Sequence, residues 1–300
     1  EELDFWIGRN YIPVPFLQLA NKDINKALKE LKGEIKNKEK YFSLENLKNI
    51  YEIDKEDITL YYPEFLPLDE KFWTDYINKE FEQKIRTILK NISDKTTVFH
   101  ISVGITSLAF GLGVKFGLRL PCILYHYQPG KDKNYHPVLN METAESLRSI
   151  KEIKHNVLEN PDFCNIIIPE SSDYSEVALA IHLASHSLYS DVENYLRENG
   201  KDIPVVGISL KDNQGKLPLN QDWKKYVVEV NSIINKLKDI KKVSKFHLFL
   251  STPAVFGFAL GMAVGHAGSS IPVYSLRSKN INPKEKYEKV FETQNIPSPF

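Results

Sequence analysis

The sequence predicts an α/β protein of two fused Rossmann-like subdomains with mostly parallel sheets, related by a pseudo-twofold. Three observations predict it. The first is the stretch Phe246 to Tyr274, FHLFLSTPAVFGFALGMAVGHAGSSIPVY, which is almost free of charge. Phe246 to Leu250 is an apolar run, Ser251-Thr252-Pro253 supplies a helix cap with a proline at N1, and Ile271 to Tyr274 is a second β-rich run. A strand, turn, helix and strand of this kind must be buried on both faces, as a central parallel strand and its crossover helix are. The second observation is an upstream copy. Phe99-His100-Ile101-Ser102-Val103-Gly104 resembles Phe246-His247-Leu248-Phe249-Leu250-Ser251 at an offset of about 147 residues, roughly one α/β domain. The third is the alternation of strands and helices, the pattern of an open parallel sheet. Pro169 to Asp173, PESSD, reads as the linker, giving subdomains at residues 1–172 and 173–300.

Taken in order, Asp4 to Leu19 is aromatic and broken by Pro13 and Pro15, which suits an extended or edge segment packed on the first half. Asn25 to Lys40 has helical spacing with alternating charge, and Ser43 to Tyr51 is a short helix with Ser43 as N-cap. Leu60 to Pro67, with two prolines and three aromatics, reads as a surface loop. Asp69 to Lys90 is the first long helix, with Asp69 as its cap and an aromatic stripe on one face. Thr97 to Val103 is a strand, Thr106 or Ser107 caps a glycine-rich helix through Phe116, and Pro121 to Tyr127 is the next strand. Pro137 to Met141 reads as a short strand, Ala144 to Asn156 as a helix, and Phe163 to Ile168 as the last strand of the first half. In the second half, Glu176 to Ala184 and Pro204 to Leu210 are strands. Leu188 to Glu198 is a helix closed by Asn199-Gly200, Gln214-Gly215 a turn, and Asp222 to Ile240 an amphipathic helix.

Composition narrows the function. The chain has 300 residues, 42% hydrophobic and 26% charged, enough for a sizeable core and typical of a soluble protein. Lysine plus arginine and aspartate plus glutamate are equal at 39 each, which argues against sequence-nonspecific binding to duplex nucleic acid. A compact anion held by helix N-termini remains compatible. Cys122 and Cys164 lack metal-site spacing, imply neither a metal nor a disulfide, and point to a reduced cytoplasmic compartment. The longest apolar run, Pro253 to Gly265, falls short of the roughly 20 residues a membrane span needs. The chain opens at Glu1 rather than Met, which reads as a piece excised from something longer.

In open α/β sheets, ligands gather beyond the C-terminal ends of the strands. That rule selects Ser102, Gly104, Ile105 and Thr106, then Tyr125 to Gln128 in the first half. In the second half it selects Ser185, His186 and Ser187, then Ser251, Thr252 and Pro253, then Ser275 to Arg277. Hydroxyl residues beside free backbone N–H groups suit phosphate; taken singly, each also serves as a helix cap. Gly111-x-Gly113-x-x-x-Gly117 falls inside a helix rather than on a strand-to-helix turn, which disfavours a dinucleotide site. Gly257, Gly261 and Gly265 form a stripe that lets one helix face approach its neighbour closely. His182 and His186 lack the glutamate and helix of a zinc protease motif, and His182 reads as a satisfied strand histidine. There is neither a G-x-S-x-G elbow nor a P-loop lysine.

The run from His247 to Gly261, together with Ala180-Ile-His-Leu-Ala-Ser-His-Ser-Leu-Tyr-Ser-Asp-Val192 and the repeat, resembles a SAVED domain. SAVED domains are similar to two fused CARF domains. The resemblance implies a sensor of cyclic oligonucleotides, such as cyclic tri- or tetra-adenylate, in anti-phage defence. It implies a partner effector, a nuclease, TIR domain or protease that is not recognisable in this chain, and ligand-driven homo-oligomerisation. No cofactor beyond the ligand is expected. The implied ligand positions are Ser102, Gly104, Ile105, Thr106, His186, Ser187, Ser251, Thr252 and Pro253. Tyr125, Tyr127 and Arg277 are placed to stack on adenines, with Gln128 and Ser275 beside them and Lys211 or Lys115 as phosphate partners. Two other functions stay open at this point: a ring nuclease using His186 or a serine, and a nucleotide-dependent Rossmann-type metabolic enzyme.

Overall fold

The structure, a computed structural model, describes residues 1–20, 24–184, 188–212, 215–265, 269–278, 280–297 and 300. The predicted turn at Gln214 lies partly outside them. The chain begins with α1 (Glu2–Ile7), β1 (Tyr11–Ala20), α2 (Ile24–Lys38), α3 (Leu44–Tyr51) and β2 (Thr59–Tyr62). Ser43 caps α3 as its spacing predicts, accepting from the N–H of Asn46. Next, α4 (Glu70–Asp75) runs through one π-helical turn (Tyr76–Phe81) into α5 (Glu82–Asn91), with Asp69 accepting from Phe72 N–H at 2.8 Å to start it. The first copy of the repeat follows as β3 (Thr96–Ser102), α6 (Thr106–Phe116) and β4 (Cys122–Tyr127), and β5 (Tyr135–Met141) returns antiparallel. After α7 (Ala144–Ser149) and β6 (Cys164–Ile167) come β7 (Glu176–His182), α8 (Tyr189–Glu198), β8 (Val205–Leu210) and α9 (Lys224–Lys241). The second copy closes the chain as β9 (Lys245–Ser251), α10 (Ala254–Val264) and β10 (Pro272–Leu276), followed by β11 (Tyr287–Glu292).

These strands form two sheets, ordered β2-β1-β3-β4-β5 and β11-β10-β9-β7-β8-β6. Each is parallel at its centre and antiparallel at one or both edges. Two sheets of this kind with flanking helices are the predicted fold class.

Four local expectations change. β1 is an interior strand, not an edge segment. In a parallel strand, alternate residues turn both their N–H and C=O to the same neighbour. Leu17 donates to Ile58 on the β2 side, so Pro13 and Pro15, of the same parity, face that side too. β2 pairs only from Leu17 onward, and no ladder bond is asked of either proline. β2 itself occupies part of the segment read as a loop. α7 is six residues long, far shorter than predicted. Finally, β6 pairs with β8 of the second sheet rather than closing the first. The fully buried Glu229 carboxylate on α9 explains this: it accepts from the N–H groups of Asp162, Phe163 and Cys164 at 2.6, 2.8 and 2.7 Å. That clamp fixes the entry to β6 against the second half.

The pseudo-twofold is visible at atomic detail where α6 crosses α10. Both helices are buried along nearly their whole length, and they join the cores of the two sheets into one cluster. A Cβ on Gly113 would stand 1.9 Å from the Phe258 carbonyl oxygen, and one on Gly261 would stand 2.1 Å from that of Phe110. Gly257 and Gly261 of the predicted stripe are thus interhelical contacts, whereas Gly265, with φ +53°, ends α10 and does not meet α6. Gly113 and Phe110 of one helix match Gly261 and Phe258 of the other.

A second pair of marks repeats the symmetry inside the sheets. His100 Nδ1 lies 2.8 Å from the Tyr125 hydroxyl, and His247 Nδ1 lies 2.9 Å from that of Tyr274. Burial, with a smaller contribution from Lys38, pushes His100 down from 6.5 to about 3, and burial lowers His247 as well. The unfolded chain therefore binds protons that the native state refuses. This contribution to stability is complete above about pH 6.5 and is lost as the pH falls toward 3. Between pH 6.5 and 5 the unfolding free energy is expected to decline by up to about 1.4 kcal/mol per pH unit for His100 alone. The double variant His100→Phe/Tyr125→Phe should show a shallower slope in denaturant titrations over that range; an unchanged slope would place the sensitivity elsewhere.

Candidate functional site

The C-terminal ends of β1, β3 and β4 open into a cleft of about 500 Å³. β1 leads on to β2 on one side and β3 to β4 on the other, so the cleft lies where the strand order reverses, as the switch-point rule requires. Leu17, Gln18 and Ser102 form its floor, Lys26 and Glu30 of α2 one wall, and Tyr62, Tyr127 and Tyr135 an aromatic wall. Ala254, the first residue of α10, reaches in from the second half.

Three local devices shape this cleft. The Gly104 N–H donates to Gln18 Oε1 at 2.7 Å, and Gln18, buried in the floor, turns its other end to the Tyr76 hydroxyl at 3.4 Å. A Cβ on Gly104 would stand 2.5 Å from the Tyr62 hydroxyl, so its lack lets Tyr62 lie across the turn. Burial raises the Tyr62 phenol, which stays a neutral donor. His126, against Trp223 at 5.2 Å between ring centroids, is pushed down to about 4 by burial and then by His136, and is neutral.

The two helix N-termini meet beside the cleft. Thr106, at the start of α6, donates its hydroxyl to the Thr252 carbonyl at 2.6 Å, and Ser107 donates to the Tyr274 carbonyl at 3.2 Å. The hydroxyls read as caps or phosphate ligands thus join the halves. Neither α6 nor α10 has a side-chain cap, and Pro253 is the N-cap of α10 rather than its first turn. Apart from that of Phe256, which donates back to the Pro253 carbonyl at 3.0 Å, their first-turn N–H groups are left to a ligand or water.

Ser102, Gly104 and Tyr127 line the cleft, and Ile105 and Thr106 stand at its edge as the N-cap and first residue of α6. Ser251 ends β9 next to them, and Thr252 and Pro253 follow it. Tyr125 is elsewhere: it is 2% exposed with its hydroxyl on His100, so its ring offers no face for stacking here. Tyr127, 50% exposed and set against Tyr135, does. Gln128 is not in the lining: its N–H is on the Asn134 carbonyl, and its side chain hydrogen-bonds His126, which does line the cleft. Ser275 is buried in the ladder opposite Glu288, and Arg277 pairs with that same Glu288. Lys211 reaches the Pro161 carbonyl at the far side of the second sheet. Lys115 is 2% exposed in an ion pair with Glu82, which removes it as a phosphate partner. Ser185, His186 and Ser187 lie outside the described residues.

Gln18, Tyr62, Lys26 and Ala254 are site residues that the sequence reading missed. A single amide inside the apolar run Val14 to Ala20 was the available signal for Gln18. Tyr62 was hidden by the proline-rich segment that follows it.

Fold and site define an α/β protein of two Rossmann-like halves, with a cleft formed at strand ends and completed by the opposite half. Residues 154–292 match the SAVED family, described as the SMODS-associated and fused to various effectors sensor domain. Over most of its second half, then, the chain matches a sensor domain. Among solved structures it is similar to the SAVED/CARF-domain containing receptor Cap4 of Acinetobacter baumannii, solved with the cyclic trinucleotides 3'3'3'-cAAA and 2'3'3'-cAAA. The TM-scores are 0.50 and 0.52 at 18% identity, over 75% of this chain and 44% of the receptor. The chain thus spans less than half the length of those structures. No curated protein sequence matches it. Among the described residues no helix is long and apolar enough to cross a membrane, and no group of metal-binding side chains is present.

Proposed function

We propose that the chain is a sensor that binds a cyclic oligonucleotide, such as a cyclic tri- or tetra-adenylate, in the cleft between its two halves. Binding drives self-association and activates an effector, fused or separate. The observation that carries this reading is the convergence of the uncapped N-termini of α6 and α10, tied by Thr106 and Thr252, on an aromatic-walled cleft. Helix N-termini supply N–H groups and partial positive charge to phosphates, while Tyr62 and Tyr127 offer flat faces to bases. A formal net charge of zero fits a site that relies on backbone donors more than on lysines. The SAVED match and the Cap4 likeness support the same ligand class.

Calorimetric titration with cyclic di-, tri- and tetranucleotides, followed by light scattering, tests the reading. Tight binding of one ring with a rise in mass is the expected result. Binding without assembly would remove self-association from the mechanism, and no binding to any ring would sink the sensor reading. Tyr127→Ala is expected to lower affinity by about 1–3 kcal/mol through lost stacking.

A further inference from the structure

We infer that His182 is the ligand-binding side chain of the second half, donating from Nε2 to a phosphodiester oxygen of the bound nucleotide; this rests on the sensor reading above. The sequence reading made His182 a satisfied strand histidine, and the structure differs. Nε2 is buried and has no hydrogen-bond partner among the described residues. Buried polar atoms without partners are uncommon and each calls for a cause. Of those among the described residues, it is the one at the C-terminal end of a parallel strand.

Its neighbours fit a ligand contact. His182 is the last residue of β7, in register with Ser209 on β8 and Ser251 on β9. Side chains in register on parallel strands share a face, so three polar groups stand in a row across the middle of the sheet's C-terminal edge. That face is the one covered by α8, because Ala178 and Ala180, of the same parity as His182, pack with Leu188, Val192 and Tyr195. The repeat makes the row the second half's counterpart of the described cleft. Ser251 corresponds to Gly104 at the same offset of about 147 residues. Leu19, two residues past the Leu17–Ser102 pair, stands beside Gly104 as His182 stands beside Ser251. Leu19 and Gly104 both line the first-half cleft. The first half presents aromatic faces at this level, and the second presents hydrogen-bonding groups, which suits bases on one side and backbone oxygens on the other.

The full chain, His182→Leu and His182→Gln are compared by calorimetry with cyclic triadenylate and cyclic tetra-adenylate, and by thermal melting without ligand. His182→Leu is expected to bind at least ten-fold more weakly and to melt at the same or a higher temperature, since it removes an unpaired buried atom. His182→Gln, which keeps a donor, should fall between. In the wild type labelled with ¹⁵N-histidine, the His182 Nε2 resonance should shift on ligand addition. Leucine binding within two-fold of wild type, or a leucine variant that melts like a damaged core, would overturn the assignment while leaving the sensor reading intact. Failure of the wild type to bind either ring would overturn both.

Discussion

Gly261→Ala is expected to destabilise the protein by about 3 kcal/mol, the upper end of what overpacking costs. The reason is the nature of the obstacle. The new methyl would meet the Phe110 carbonyl oxygen at 2.1 Å and the Val114 nitrogen at 2.9 Å, both backbone atoms that cannot rotate away. α6 and α10 would have to part along their whole crossing, and that crossing is what joins the two halves. Gly113→Ala meets the Phe258 carbonyl in the same way. Because either substitution forces the same separation, the double variant should lose much less than the sum of the two. Gly33 is the internal control. It sits in α2 with nothing within 4 Å of its virtual Cβ, so Gly33→Ala should stabilise by about 1 kcal/mol through helix propensity alone. Urea midpoints of the four variants against the wild type check this; a neutral Gly261→Ala would mean that the helices can slide apart at no cost.

Why this contact was legible in the sequence, and others were not, follows from the range of the interaction. Small residues every fourth position report a close approach whatever the partner, so Gly257 and Gly261 could be read locally, while Gly265, at the same spacing, turned out to end the helix. The parallel strands were legible for a similar reason: burial on both faces leaves apolar runs such as Val177 to Ile181. The placement of β6 was not, since it depends on Glu229, which lies 65 residues away from Cys164. Likewise β1 was misjudged because the harm of a strand proline depends on which neighbour its missing N–H would face.

The candidate site divided along the same line. Strand ends are marked by local sequence, so Ser102, Gly104, Thr106 and Thr252 were found. What each hydroxyl does was not, because Thr106 answers to a carbonyl 146 residues on. Tyr125 and Tyr127 are two residues apart on one strand, and alternation sends one into the core and the other to the cleft. Only the structure says which. His182 is the reverse: its position was legible, but an unpaired nitrogen has no signature in sequence.

Introducing a carboxylate at residue 254 should separate ligand binding from folding. A bulky acid at Thr252 would not, because Thr252 is 6% exposed and its carbonyl holds Thr106, so lost binding would report only a disturbed core. Ala254 is partly exposed, lies in the cleft and is the first residue of α10. An acidic residue in the first turn of a helix is favourable by about 0.3–1 kcal/mol, so Ala254→Asp should fold as well as the wild type. Its charge, however, occupies the ground on which the helix N-terminus would receive a phosphate. Two like charges 4 Å apart repel by about 4 kcal/mol at an effective dielectric of 20, so affinity for a cyclic oligonucleotide is expected to fall by about a hundred-fold or more. Ala254→Asn has nearly the same shape without the charge and should bind within a few-fold of wild type. If the asparagine variant loses binding as badly as the aspartate variant, shape rather than charge governs this wall. If both bind normally, no phosphate approaches α10, and the anion must be held by α6 alone.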